Sequence, residues 1–101
     1  MDFVQTLAQR IQAIVPEGFS ITPDQGMMKI SRVNDLPTWN GMNADDPAAA
    51  ALSILSAVQD YVSIALTVPW PSLALPEVSI EGSTLRMRLG PITLDDIDLS
   101  S

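Results

Sequence analysis

The 101-residue sequence contains no cysteine and no histidine. Without cysteine the chain has no disulfide, no thiolate metal ligand and no thiol nucleophile, so a disulfide-stabilised secreted scaffold is excluded. Without histidine it lacks the most frequent zinc ligand and the commonest general base near neutral pH. The usual zinc sites and the Ser-His-Asp and Cys-His catalytic arrangements are therefore excluded.

Basic residues are also scarce, with 5 Lys and Arg against 12 Asp and Glu and a net charge of −7. This charge repels nucleic-acid phosphates and anionic lipids, so we expect neither nucleic acid nor membrane as a partner. An acidic surface can meet a basic protein patch or imitate nucleic acid, and it also keeps an apolar protein soluble. The acidic, interrupted start "MDFVQTLAQR" is unlike a signal peptide and predicts a cytoplasmic protein.

Motifs for common chemistries are missing as well. The sequence has no Gly-x-Gly-x-x-Gly loop and no Gly-x-Ser-x-Gly nucleophile turn. Its carboxylates group at Asp45 and Asp46, at Asp60, and in the tail "LDDIDLS", without the spacing of a calcium loop. We predict that the protein is not an enzyme and holds no cofactor or metal. The alternative is a small ligand-binding or divalent-metal-dependent enzyme whose carboxylates converge in a pocket.

The chain has the length of one domain, residues 1–101, and its 47% hydrophobic content is that of a globular protein. Spacings of three and four, alternating runs and turn residues predict the elements. These are a helix at about 2–15, a hairpin at about 19–33, a loop at 34–46, a helix at about 47–67, a hairpin at about 77–90 and an acidic tail at 91–101. We expect an αββαββ order and a two-layer α+β sandwich, in which both helices cover one face of a four-stranded, mostly antiparallel sheet.

The second predicted helix is unusually apolar, because residues 47–76 carry one charge, Asp60. A membrane span is disfavoured because Gln59 and Asp60 would lie near the bilayer midplane and no basic residue flanks the segment. The apolar arc is about twice the arc of just over 100° that a helix on one sheet face needs. The first helix and the C-terminal segment could cover the excess, but we favour a second copy of the chain or another protein.

A narrow polar stripe divides this apolar surface, spanning a sector of about 80°. Its small side chains would allow two helices to approach closely in a symmetric dimer, although the stripe could equally be the solvent face of a core helix. The stripe consists of Ser53, Ser56, Asp60 and Ser63, followed by Thr67.

Two further groups of side chains are candidates for binding. Trp39 and Trp70 lie in predicted loops, where a tryptophan either anchors a partner or covers the edge of the core. Lys29, Arg86 and Arg88 are expected on the sheet face away from the helices. That face could receive an acidic or extended partner, be covered by the tail, or remain solvated.

The stretch "LSAVQDYVSIALTVPWP" followed by "VSIEGSTLRMRLG" resembles a pattern in small actinobacterial proteins: a helix with Gln-Asp, then Pro-Trp-Pro, then a terminal hairpin. The resemblance covers the C-terminal half of the chain and implies a soluble bacterial α+β domain, with no catalytic residues. We therefore predict a non-enzymatic domain for protein–protein interaction or assembly, with homodimerisation favoured. The alternative within binding is an acidic inhibitor or nucleic-acid mimic from a mobile element.

Overall fold

A computed structural model describes residues 2–43 and 45–100 and confirms the α+β class. Its elements, in chain order, are α1 (Phe3–Gln12), β1 (Phe19–Asp24), β2 (Met27–Arg32), β3 (Thr38–Gly41), α2 (Pro47–Leu66), β4 (Pro76–Glu81), β5 (Thr84–Leu89), β6 (Ile92–Thr93) and β7 (Ile97–Asp98).

The strands form two antiparallel sheets, which corrects the expectation of a single four-stranded sheet. The first sheet has the order β1-β2-β3, and in the second β5 pairs with β4 on one side and with β6 and β7 on the other. Each hairpin is thus extended by the segment that follows it in the chain. Because these local partners occupy the free sides of β2 and β5, those sides are not available for joining the two hairpins into one sheet.

The first hairpin has the core residues that its alternation predicts. Ile21 lies opposite Ile30 in the register, and both side chains are buried, as are Phe19 and Met28. Gly26 completes the turn at a positive φ of 80°, a conformation that glycine adopts without steric cost. The alternation therefore predicts which face of this hairpin enters the core.

The second hairpin and the tail form one sheet. Leu85, Met87 and Leu89 alternate with exposed arginines and are buried, as predicted. Residues 91–100 of the predicted tail are more than an acidic extension, because they return along β5 and bury Leu94 and Ile97. Its apolar residues alternate with carboxylates, so the tail adds to the core while its charges stay in water.

The first helix is shorter than the predicted 2–15. It begins after Asp2, whose carboxylate accepts a hydrogen bond from the Gln5 backbone at 3.2 Å. It buries Leu7 and Ile11 and ends at Gln12, after which the Ile14 N–H bonds to the Ile11 carbonyl in a tighter turn ahead of Pro16.

The second helix matches its predicted bounds within one residue. The Asp46 carboxylate accepts from the Ala49 backbone at 3.2 Å, Pro47 occupies the first turn, and Thr67 ends the helix with a φ of 59°. These are the local signals of a helix start and of a left-handed end. The Asp46 cap and the proline therefore account for where α2 begins.

The α2 helix is the centre of the core, since it contacts α1, β2, β4 and β5. Its fully buried residues span an arc of about 140° on the helical wheel. They are Ala50, Ala51, Ile54, Leu55, Val58 and Val62. Two sheets instead of one therefore cover much of its wide apolar arc.

By length and composition alone α2 could cross a membrane, with a mean hydropathy of 1.5, but a core helix passes the same test.

Candidate interaction surface

The segment that follows α2, residues 67–75, folds back onto the helix, and we call it the exit loop. The Gln59 amide donates to the backbone carbonyls of Ala74, at 2.8 Å, and Ser72, at 3.4 Å. Ser63 Oγ accepts from the Trp70 backbone N–H at 2.9 Å and donates to the Trp70 carbonyl at 3.4 Å. The chain therefore covers part of the second side of α2 with its own exit loop.

The predicted polar stripe is divided by this contact. Ser53 and Asp60 are exposed, whereas Ser56 and Ser63 are partly buried, and Ser63 is already bonded to the exit loop. The stripe is therefore not one open surface for close helix approach. The exit loop covers part of the arc that favoured a second copy, while Ile64 of α2 remains 77% exposed, so a dimer cannot depend on the stripe alone.

The two tryptophans have different surroundings. Trp70 is partly buried and packs against the core, in agreement with the lid interpretation. Trp39 belongs to β3, a strand that sequence reasoning placed inside a loop, and it remains 46% exposed. Its indole N–H donates to the Asp24 carboxylate at 2.8 Å, and the Lys29 ammonium lies 5.6 Å from its ring centroid. Cross-strand contacts within the first sheet thus hold Trp39.

The predicted basic sheet face does not form, because its residues belong to different sheets. Lys29 is on β2 of the first sheet, while Arg86 and Arg88 are on β5 of the second. Arg86 lies 3.0 Å from the Glu81 carboxylate and 3.8 Å from that of Asp96. Arg88 donates to the Gly90 carbonyl at 2.9 Å. Local partners therefore already bind both arginines.

A different group of side chains forms the most apolar exposed surface around α2, and we call it the α2 apolar surface. Each member is a large aliphatic residue, and the members are 55–88% exposed. They are Leu36 beyond β2, Ile64 on α2, and Val68, Leu73 and Leu75 on the exit loop.

Two grooves run along α2 within this surface. The first, about 470 Å³, is lined by Leu36, Tyr61, Ile64 and Ala65, with Arg32 and Asp35 at its polar end. The second, about 430 Å³, lies between α2 and the exit loop and contains Ile64, Val68, Leu73 and Leu75. Ile64 lines both grooves, so it stands on the ridge between them.

Several of the polar groups beside the grooves are bonded within the chain, whereas the Asp60 carboxylate in the second groove is exposed. Arg32 is 3.5 Å from the Asp35 carboxylate and donates to the Ala65 carbonyl at 3.1 Å, near the C-terminal end of α2. The Tyr61 hydroxyl donates to the Leu36 carbonyl at 2.8 Å. A partner that covers these grooves would therefore leave few polar groups unsatisfied, which lowers the cost of burying them.

The sequence groups its carboxylates at Asp45 and Asp46, at Asp60 and in the tail. Among residues 2–43 and 45–100, no group of three or more His, Cys, Asp or Glu side chains could hold a metal ion. Asp46 and Asp60 lie fourteen residues apart on one helix, about 21 Å by helical rise. The Asp46 carboxylate binds the start of α2.

Comparisons of the chain with protein-family models, with curated proteins and with solved structures find no match.

The α2 apolar surface was not predicted from the sequence. Its one sign in the sequence is "PSLALP", in which two leucines separated by an alanine lie between two prolines. No alternating run next to it could pair with these leucines as a second strand. An apolar run in a proline-bounded loop indicates exposed hydrophobic side chains.

Proposed function

We propose that the protein is a non-enzymatic protein-binding domain and that the α2 apolar surface is its contact surface. The observation that supports this function is the adjacency of five large aliphatic side chains, each more than half exposed, along two connected grooves. The largest contiguous apolar patch on a soluble monomer covers about 300–600 Å² and is often functional.

The scaffold beneath this surface supports the proposal. Gln59 and Ser63 hold the exit loop through four hydrogen bonds, so Leu73 and Leu75 are presented from a tied segment. Binding through a preorganised segment avoids much of the cost of ordering a free loop. The leucines are therefore placed to make contact with a partner at low entropic cost.

Site-specific photo-crosslinking in cells tests this function. A photoreactive amino acid would replace Leu75, and in a matched control it would replace Gln9, which is exposed on α1. We expect protein adducts from position 75 in the cytoplasm, our proposed location. These adducts should be lost when Ile64→Asp is added, because the ridge residue lines both grooves.

The opposite result is also informative. Equal adduct yields from positions 75 and 9, or yields at position 75 that are insensitive to Ile64→Asp, would contradict the proposal. Circular dichroism of the Ile64→Asp variant provides the folding control, since Ile64 is 77% exposed and its replacement should leave the core intact.

A further inference from the structure

We infer that the partner of the α2 apolar surface is a second copy of this chain, bound about a two-fold axis that passes close to Ile64. The inference rests on the proposed function, because it identifies what occupies the same surface. It depends on three observations, which are the distribution of charge, the apolar area and the arrangement of the two grooves.

Charge favours this surface for self-association. Each copy carries a net charge of −7, so two copies repel one another over most approaches. Residues 61–76 contain no charged residue, and they supply four of the five side chains of the α2 apolar surface. Among the described residues, the charges that line the grooves are Asp60, which lies in the second groove one helical turn before Ile64, and the paired Arg32 and Asp35. Two acidic copies therefore meet here with one unpaired carboxylate from each copy, that of Asp60.

The apolar area is also suitable for a dimer. A buried Val, Leu or Ile side chain removes roughly 60–120 Å² from water, so the five partly exposed side chains offer on the order of 300–400 Å². A standard interface buries about 800 Å² per partner, of which somewhat more than half is apolar. The five side chains thus supply most of the apolar area that one side of such an interface contains.

The grooves suggest how two copies fit together. In a two-fold interface, if residue i of one copy contacts residue j of the other, then j also contacts i. The Leu36 groove lies on one side of Ile64, and the projecting Leu73 and Leu75 lie on the other. Rotation about an axis at Ile64 places the exit-loop leucines of each copy over the Leu36 groove of its partner. The same surface is therefore complementary to itself.

Disulfide trapping tests this arrangement directly, because the chain has no cysteine of its own. The variants Leu36→Cys and Leu75→Cys, one of them tagged, would be mixed and oxidised. We expect the mixed disulfide to exceed either like-with-like product. A pair of Gln9→Cys and Leu75→Cys provides the background yield. Ser53→Cys tests the alternative contact along the polar stripe, and a dominant Ser53→Cys homodimer would overturn the groove arrangement.

Light scattering over a concentration series supplies a second, independent measurement. We expect the wild-type chain to become dimeric as concentration rises, and Ile64→Asp to weaken the dimer by at least about tenfold. Val33→Asp is the matched control, since Val33 is 71% exposed but does not line either groove. It should leave the dimer unchanged.

The outcomes separate this inference from the proposed function. A wild-type chain that stays monomeric at its solubility limit, or a mixed disulfide no stronger than background, overturns the second copy as the partner. If position 75 then crosslinks to a different protein in cells, the protein-binding function stands without the dimer. If position 75 gives no specific adduct either, both proposals fail.

Discussion

The Ser63 hydroxyl makes a hydrogen bond with each of the two polar backbone groups of Trp70, its N–H and its carbonyl. The serine hydroxyl accepts from the Trp70 N–H at 2.9 Å and donates to its carbonyl at 3.4 Å. A side chain on the helix thereby satisfies the backbone of a loop that contains two prolines and few donors of its own. This contact connects the end of α2 to the segment that presents Leu73 and Leu75.

We expect Ser63→Ala to lower the free energy of unfolding by about 1–2 kcal/mol, since it removes two hydrogen bonds from a partly buried backbone. Ser53→Ala is the matched control, because it makes the same change at an exposed position of the same helix. It should cost nothing and can gain a few tenths of a kcal/mol from helix propensity. Urea denaturation of both variants measures the difference.

Fluorescence gives a local readout of the same substitution. In a Trp39→Phe background Trp70 is the single tryptophan, and its emission should shift to the red in Ser63→Ala as the ring loses its packing on the core. If Ser63→Ala and Ser53→Ala behave alike in both measurements, the exit loop is not held by Ser63.

Gln12 protects the outer edge of β1. Its amide nitrogen donates to the Phe19 carbonyl at 2.9 Å, and its amide oxygen accepts from the Ile21 N–H at 2.8 Å. One carboxamide thus makes the two bonds that a neighbouring strand would make, and Pro23 further along has no N–H to offer. The free edge of the first sheet is therefore closed to pairing by the chain itself.

We expect Gln12→Ala to cost about 1–2 kcal/mol of stability and to reduce the hydrogen-exchange protection of the Ile21 amide. Gln12→Glu should also be destabilising, because a carboxylate keeps the acceptor but loses the donor to Phe19. Gln9→Ala, on the same helix and exposed, is the control and should leave Ile21 protected. If hydrogen exchange of the Ile21 amide is unchanged in Gln12→Ala, then Gln12 is not the group that protects the outer edge of β1.

Local signals in the sequence predict the bounds of α2 and of both hairpins well, for physical reasons. Asp46 and Pro47 define a helix start without help from distant residues. Alternation assigns Phe19, Ile21 and Ile30 to one face because a strand has a period of two. Such features depend on residues that are near one another in the chain.

Features that depend on distant contacts were missed. Residues 38–41 form a strand because Trp39 meets Lys29 and Asp24 across the first sheet, and their own polar composition indicates a loop. Periodicity places Ser63 on a polar stripe but does not show that Trp70 returns to bond it. The exposed leucines of the exit loop follow from that return, so the candidate site could not be predicted from helix periodicity.

Asp98 provides a pH-dependent prediction. The Ser100 hydroxyl, at 2.7 Å, and the Ser100 backbone N–H, at 2.9 Å, both donate to its carboxylate and hold the pKa of Asp98 below its usual range. Since the unfolded chain then binds the proton more tightly, this contribution to stability is present above the unfolded pKa and is lost as pH falls through the folded pKa. The exposed position of the carboxylate keeps the effect small.

We expect Ser100→Ala to raise the pKa of Asp98 towards its usual value without reaching it, because the backbone donor remains. An NMR titration of the Asp98 side chain measures this change, and Asp98→Asn confirms the assignment of the resonance. Titration curves that superimpose for the wild type and Ser100→Ala would contradict a role for the hydroxyl.

Substitutions of the adjacent residues Asp45 and Asp46 distinguish a helix cap from a metal site. As the cap of α2, Asp46 accepts from the Ala49 N–H, so Asp46→Ala should cost about 1 kcal/mol. Asp45→Ala should be close to neutral, since the Asp45 side chain is exposed and lies outside the helix. Under the alternative of a carboxylate metal site, Mg²⁺ or Ca²⁺ would raise the melting temperature of the wild type, and both substitutions would abolish the rise. Thermal melts of the wild type and of both variants, with and without each ion, separate the two cases. A helix cap predicts that Asp46→Ala lowers the melting temperature more than Asp45→Ala does, whether or not the ion is present. A metal site predicts that the ion raises the melting temperature of the wild type and of neither variant.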